Sequence, residues 1–259
     1  MKYQIIDGNN LMHRLVHTDP YPLKSFMYAV HGAQYPIIVW DGYNALAERR
    51  KIYPEYKVNR NSKPKDPITY ESMDIARRIC ENLECIQVRV DGFEADDVIA
   101  HMVDLLGKDN VTYIHSNDID LAGFGIPTLY TKPVPDHLKL YKTLVGKSSD
   151  NVKGLRLFGP KAWEKLEDWE KNNIKFLLSG VNCFNLTISP LGTNITPSLV
   201  SDDKLKDKLL DNLDNLKKLW QISNFLPIPQ EALDEGTIKG TENMQEIEMI
   251  RSQYLLWNV

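Results

Sequence analysis

Three acids crowd into Gly92-Phe93-Glu94-Ala95-Asp96-Asp97, and the aspartates Asp7, Asp41, Asp118 and Asp120 stand just beyond three short apolar runs. Each placement has an ordinary use. Acids in a first helical turn complement the helix dipole by about 0.3–1 kcal/mol each, and a lone aspartate after a strand is common turn chemistry. The recurrence is what points to a site. Carboxylates brought into one cleft repel, so some pKa values must rise or cations must be recruited. Hard divalent cations with oxygen ligands are the economical answer.

The elements that would position these acids are legible as patterns. Tyr3-Gln4-Ile5-Ile6, Pro36-Ile37-Ile38-Val39-Trp40, Cys85-Ile86-Gln87-Val88-Arg89-Val90 and Val111-Thr112-Tyr113-Ile114-His115 read as four strands. The near-continuous apolar character of the first two predicts central parallel strands buried on both faces. In open α/β sheets ligands bind beyond the carboxyl ends of the strands, where these aspartates fall. After Glu94, residues Ala95, Val98, Ile99, Met102, Val103 and Leu106 recur at helical spacing, which predicts a helix with one buried face. That spacing puts Glu94 and Asp97 on one face and turns Asp96 by about 100°.

The chain of 259 residues, 42% hydrophobic and 25% charged, has the balance of an ordinary globular protein. No stretch approaches the roughly 20 apolar residues of a membrane helix, and three cysteines without paired metal spacing suit a reducing cytoplasm. The net charge of −4 hides a basic segment. From Arg49 to Lys65, the cations Arg49, Arg50, Lys51, Lys57, Arg60, Lys63 and Lys65 face only Glu55. Such a segment can hold a phosphate backbone, and its interleaved Tyr53 and Tyr56 suit stacking on single-stranded bases. Lys57 and Arg60 are spaced one helical turn apart.

Further along, Thr128 to Thr131 reads as an edge strand. The stretch from Val145 through Gly154 to Trp163 reads as helix, glycine-bounded turn, helix, with Pro160 starting the second helix. Lys204 to Ile222 has the spacing of one amphipathic packing helix, Gln230 to Glu242 reads as loop, and Met244 to Trp257 as a final helix or strand.

Taken together, these motifs resemble the 5′ nuclease family of flap endonucleases and 5′–3′ exonucleases, especially compact bacteriophage members. The resemblance rests on Ile5-Ile6-Asp7-Gly8-Asn9-Asn10-Leu11 with Arg14, on Trp40-Asp41-Gly42 followed by Arg49 and Tyr53 to Arg60, and on Gly92 to Asp97. It continues with Ser116-Asn117-Asp118-Ile119-Asp120-Leu121 and with Ser149-Asp150-Asn151 and Gly154 to Ala162, which resemble a helix–three-turn–helix. It implies an α/β fold: a central, mostly parallel twisted sheet flanked by helices, PIN-like, over residues 1–142. A basic helical arch would span about 43–75, and residues 143–259 would hold the helix–three-turn–helix and a helical region packed on the core.

The same resemblance implies a cytoplasmic, monomeric phosphodiesterase that cuts DNA near a 5′ end, flap or nick, and RNA–DNA hybrids in some cases. Asp7, Asp41, Glu94 and Asp96 would serve one Mg²⁺, and Asp97, Asp118, Asp120 and Asp150 a second, with Mn²⁺ as a substitute. With these eight acids counted as metal-compensated, the formal charge of −4 becomes +4. Lys57 and Arg60 would neutralise the scissile phosphate, assisted by Arg14 and Arg49. Arg50, Lys51, Tyr56, Lys63, Lys153, Arg156, Gly159 and Lys161 would contact DNA, with a K⁺ ion at the helix–three-turn–helix. The pattern departs from the family where Lys147 follows Gly146 in place of an acid, where Leu157 takes a glycine position, and where Asn117 replaces a frequent glycine. Lys147 leaves a second reading open, a structure-specific DNA-binding protein with little hydrolysis. A PIN-like ribonuclease is a third, and it leaves the helix–three-turn–helix unexplained.

Overall fold

The computed structural model describes residues 1–60, 66–180 and 199–253, so Lys63 and Lys65 lie outside the described residues. The chain divides into two compact units. Unit 1 comprises Met1–Glu48, Lys63–Val134 and Phe225–Val259, and unit 2 comprises Arg49–Ser62 and Pro135–Asn224.

Unit 1 is built on one sheet of five strands, β1 (Tyr3–Asp7), β2 (Pro36–Asp41), β3 (Ile86–Val90), β4 (Val111–His115) and β5 (Thr237–Lys239), in the order β4-β1-β2-β3-β5. The first four run parallel, with Ile5 opposite Ile37 and Ile114, and Ile37 opposite Ile86. Ile5, Ile6, Ile37, Ile38, Val39 and Trp40 are all buried, the physical reason their runs lack polar alternation. On one side, Leu11 and Met12 of the helix Gly8–Thr18, Leu23 and Phe26 of Pro22–His31, and Met73, Ala76 and Ile79 of Pro67–Glu81 form a core with Ile6, Ile38 and Trp40. The helix Ala95–Leu106 buries Val98, Ile99 and Val103. Because β1, β2, β3 and β4 are parallel, their carboxyl ends emerge along one edge of the sheet.

Several expectations change. Thr128 makes a single parallel bridge with Ile114 rather than starting an edge strand at Thr128–Thr131. The sheet instead ends on β5, which lies in the Gln230–Glu242 stretch read as loop. It pairs antiparallel with β3, Ile238 opposite Gln87, after the helix Gln230–Glu235. The single helix over Lys204–Ile222 is two, Asp203–Asp211 and Leu213–Ser223, separated at Asn212. The last element is the helix Met244–Gln253, whose Ile247 and Ile250 join the unit 1 core. That packing and β5 return the C-terminal stretch to unit 1, so the division differs from a boundary at residue 142.

Among its described residues, the 43–75 region is not one continuous helix. It contains the helix Ala47–Ile52, a short turn of 3₁₀ helix at Val58–Arg60, and the start of Pro67–Glu81, which is a core-packing helix of unit 1. Lys57 sits at φ +52° and interrupts the helical phase that would align it with Arg60.

Unit 2 is helical. Leu140 and Leu144 of the helix Leu138–Leu144 pack with Leu155, Phe158, Leu166, Ile174, Leu178, Leu209 and Leu216. The turn after this helix is closed by two glycines at positive φ. A Cβ on Gly146 would lie 2.5 Å from the Val152 carbonyl, and one on Gly154 would lie 2.6 Å from the Gly146 nitrogen, so neither position accepts a side chain.

Candidate functional site

At the carboxyl edge of the sheet each strand-end acid is held by short-range hydrogen bonds. The Asp7 carboxylate closes β1 and caps the helix Gly8–Thr18: Oδ1 accepts the Asn10 N–H at 3.0 Å and Oδ2 the Ser116 hydroxyl at 2.9 Å. Asp41 closes β2, with Oδ1 accepting the Ala95 N–H at 2.8 Å while its own N–H donates to Asn9 Oδ1 at 2.8 Å. Gly42 follows it because a Cβ there would stand 1.8 Å from the Val90 carbonyl. Asp118 caps the helix Ile119–Ala122 through the Asp120 N–H at 2.7 Å. Turn and capping chemistry is therefore realised at each of these acids, together with their convergence.

Electrostatics shows that convergence. Burial, followed by the charges of Asp41 and Asp118, raises the Asp7 pKa from the ordinary carboxylate range to about 7, against the lowering effect of its hydrogen bonds. Burial pushes Asp96 well above that range as well, reinforced by Asp118, Asp7, Glu94 and Asp41. Five of the expected acids, Asp7, Asp41, Glu94, Asp96 and Asp118, thus form one like-charged cluster. Asp120 stands half-buried in the first turn beyond Asp118.

Asp97 departs from this group. It is 1% exposed, and its Oδ1 accepts the Leu226 N–H at 2.7 Å, tying the C-terminal stretch to the helix Ala95–Leu106. Glu94 is the N-cap, with extended backbone, so the helical phase that would pair it with Asp97 does not include it. Arg14 is half-buried on Gly8–Thr18, and its charge adds to burial in lowering the His115 pKa.

The residues that position the acids carry less obvious signals. Fully buried Ser116 joins the ends of β1 and β4, with its hydroxyl donating to Asp7 and its oxygen accepting the Asp118 N–H at 3.2 Å. Asn10 reaches Asn117 across the same gap at 2.6 Å. Asn9, Asn10 and Ser116 stand within the motifs that carry the family resemblance, but nothing in those motifs gives them a positioning role beyond their adjacency to strand-end acids.

Among the described residues, no group of three or more His, Cys, Asp or Glu side chains stands at metal-holding geometry. The donor chemistry nevertheless fits a hard divalent cation. All the gathered donors are oxygens, and their mutual repulsion is what such an ion relieves. Binding would require side-chain adjustment from the arrangement described.

Unit 2 holds the remaining expected residues, and its central acid has the opposite surroundings. Asp150 Oδ2 pairs with Lys147 Nζ at 2.8 Å, and Oδ1 with Arg60 Nη2 at 2.9 Å and Lys57 Nζ at 3.9 Å. Burial raises the Asp150 pKa, but the Lys147 hydrogen bond and the three cationic charges outweigh it and hold the group below the ordinary range.

Arg49 is 5% exposed and donates to the Ile222 and Asn224 carbonyls, closing the end of the helix Leu213–Ser223. Arg50 Nε donates to the Tyr56 carbonyl at 3.0 Å. Tyr56 is buried beneath Arg49 and Lys57, so its ring has no open face for a base. Lys51, Lys153, Arg156 and Lys161 are exposed, Lys153 lying 3.8 Å from Glu55. Gly159 caps the four-residue helix Pro160–Trp163. Leu157 adopts φ +57° and is 89% exposed, a leucine in a conformation suited to glycine.

The fold and the acid cluster define an α/β protein whose parallel strands deliver oxygen donors to one sheet edge. The 5′-3′ exonuclease N-terminal resolvase-like domain matches residues 2–125. A Bacillus subtilis (strain 168) protein named 5′-3′ exonuclease is 27% identical over 264 aligned positions, covering 86% of this chain and 83% of that protein. Two bacteriophage T5 structures share the fold. T5 5′-exonuclease with bound zinc ions aligns with a TM-score of 0.60 at 17% identity over 96% of this chain and 99% of that one. T5 flap endonuclease in a pseudo-enzyme–product complex with DNA and metal ions aligns with a TM-score of 0.58 at 17% identity, again over 96% and 99%. The N-terminal part of the chain thus matches a 5′-3′ exonuclease domain model, and most of its length is similar to a protein named 5′-3′ exonuclease.

Proposed function

We propose that this protein is a Mg²⁺-dependent 5′ nuclease that hydrolyses phosphodiester bonds in DNA near a 5′ end, flap or nick, with RNA–DNA hybrids as a further substrate class. The observation that carries this reading is the cluster of like-charged, oxygen-only donors at the carboxyl edge of the unit 1 sheet. The name of the Bacillus subtilis relative supports the exonuclease activity, and the T5 structures with zinc and with DNA support the metal and the substrate class.

Asp7, Asp41, Glu94, Asp96 and Asp118 would hold the metal, with Asp120 beside them. Five carboxylates are enough to offset the charge of two divalent ions, Mg²⁺ or Mn²⁺. When bound, such ions supply an activated water and stabilise the leaving oxygen. The chain's own residues keep the donors in place: the Ser116 hydroxyl and Asn10 N–H fix the two Asp7 oxygens, and the Ala95 N–H fixes Asp41. Lys57 and Arg60 receive a substrate phosphate, and Lys153, Arg156 and Lys161 contact the backbone of the bound nucleic acid. The buried free thiols Cys80 and Cys85 support a reducing compartment such as the cytoplasm, where the protein would act as a monomer.

Cleavage of 5′-labelled flap, nicked and RNA–DNA substrates with Mg²⁺, with Mn²⁺ and with chelator tests the reading. Product is expected with either metal and none with chelator. Binding of the DNA without metal-dependent product would overturn it. The Lys147–Asp150 pair favours a second reading, a DNA-binding protein with little hydrolysis. In that case Asp118→Ala would leave binding intact, with little activity to lose.

A further inference from the structure

The 55–60 segment of unit 2 is fastened to the 147–153 turn at many points. The Lys57 N–H donates to the Asp150 carbonyl at 2.9 Å, Asn59 Nδ2 to the Ser148 carbonyl at 3.0 Å, and Asn151 Nδ2 to the Glu55 carbonyl at 2.8 Å. At the centre, three cations converge on one carboxylate that is 8% exposed: Lys147 on one oxygen, Arg60 and Lys57 on the other. Both Asp150 oxygens are committed to cations of the chain itself, which leaves this acid unsuited to ligating a divalent ion. The group as a whole carries a formal charge of +2, and the Arg60 and Lys147 side chains are 52% and 35% exposed. A small buried anion that gathers several cations, with a net positive excess facing solvent, is a receptor for a phosphate.

We propose that Asp150 is a positioning residue rather than a metal ligand. It gathers Lys57, Arg60 and Lys147 into a tri-cationic receptor for one phosphodiester or 5′-phosphate of the nucleic acid, with Lys147 as a resident ammonium in place of a second unit's worth of metal binding. The Arg60 guanidinium is a five-donor fork whose side chain is 52% exposed, and it meets Asp150 through one nitrogen at 2.9 Å. An incoming phosphate is therefore bound by groups already oriented, while Asp150 offsets part of their mutual repulsion. This inference deepens the nuclease reading and rests on it for the identity of the anion.

The test uses the full chain in two measurements. Mn²⁺ is titrated into the wild type, Asp150→Asn, Lys147→Met and, as a unit 1 control, Asp96→Asn, with bound ion counted by electron paramagnetic resonance. The expected stoichiometry is unchanged in Asp150→Asn and Lys147→Met and reduced in Asp96→Asn. Loss of an ion equivalent in Asp150→Asn overturns the proposal, whereas a wild type that binds no Mn²⁺ overturns the nuclease reading instead. The second measurement follows binding of a 5′-phosphorylated single-stranded oligonucleotide in chelator across a salt series. Lys147→Met is expected to weaken binding about tenfold at low salt and to reduce the salt slope by about 0.7, the value for one phosphate contact on a single strand. An unchanged slope overturns the role of Lys147. Circular dichroism separates misfolding from these outcomes, and the surface substitution Lys147→Met supplies the slope even where Asp150→Asn fails to fold.

Discussion

Unit 1 and unit 2 each bury aspartates, and the two units give them opposite company. In unit 1, Asp7 and Asp96 lie among other acids, and burial with like charge drives their pKa values up. In unit 2, Asp150 lies among Lys57, Lys147 and Arg60, and its pKa falls. One arrangement is incomplete until a cation arrives from outside, and the other carries its cations in the sequence. An acid in a motif is thus not a metal ligand by residue type alone. Its neighbours decide whether it is short of positive charge.

The sharpest break of this comparison is to remove one acid from unit 1. Asp7→Asn is expected to reduce metal-dependent cleavage by about 10³-fold, because several kcal/mol of transition-state stabilisation depends on metal held by this group. Above pH 7, where Asp7 is ionised, the same substitution should raise the thermal midpoint of the metal-free protein, since it removes a buried charge repelled by Asp41 and Asp118. Activity and stability moving in opposite directions is the signature. A fall in both would assign Asp7 a purely structural role through its Asn10 and Ser116 hydrogen bonds.

The pH dependence comes next. The folded-state pKa of Asp7, about 7, lies above the unfolded value near 3.8, so between those values the folded protein keeps a proton that the unfolded chain has lost. Metal-free stability therefore falls as pH rises from about 4 to about 7, by on the order of 4 kcal/mol. Asp150 has the reverse sign: its depressed pKa contributes stability above the ordinary carboxylate range that is lost as pH falls through its folded-state value. Chelator-treated protein denatured with urea across this range checks the first slope, and added Mg²⁺ should flatten it. A flat metal-free profile would remove the like-charge account of unit 1.

In unit 2 the matching variant acts without metal. Asp150→Asn leaves Lys57, Lys147 and Arg60 facing one another, and breaking a buried pair from one side destabilises strongly. About 3 kcal/mol is expected, at the low end of that range because Arg60 and Lys147 are partly solvated. Urea denaturation with and without Mg²⁺ should give the same loss, in contrast to Asp7→Asn.

The sequence carried the parts of this comparison that local pattern encodes. The four parallel strands were legible because residues such as Ile5, Ile37 and Val39 are buried on both faces, and the strand-end acids because a parallel sheet must release them at one edge. The parts set by distant partners were not legible. Arg49 belongs to a run of cations, yet its partners are carbonyls at Ile222 and Asn224. β5 is three residues with no pattern of its own, defined by pairing with β3. Asp97 sits in a motif of acids and is claimed by Leu226, 129 residues away. In each case short-range chemistry permits two roles, and a contact across the chain selects one.

The smallest effect concerns Leu157, in the turn before the helix Pro160–Trp163. An L-residue other than Asn or Asp at φ +57° costs about 1–2 kcal/mol, and replacement by glycine removes this strain while returning about 0.5–1 kcal/mol of chain entropy to the unfolded state. The side chain is 89% exposed, so little packing is lost. Leu157→Gly is therefore expected to stabilise unit 2 by about 0.5 kcal/mol, readable as a small rise in urea midpoint. The same change clears the approach to the backbone N–H groups of the turn and should tighten DNA binding severalfold without altering Mn²⁺ stoichiometry. A destabilised variant would mean that Leu157 is held in its conformation by contacts worth more than the strain. A changed metal count would reopen the assignment of metal binding to unit 1 alone.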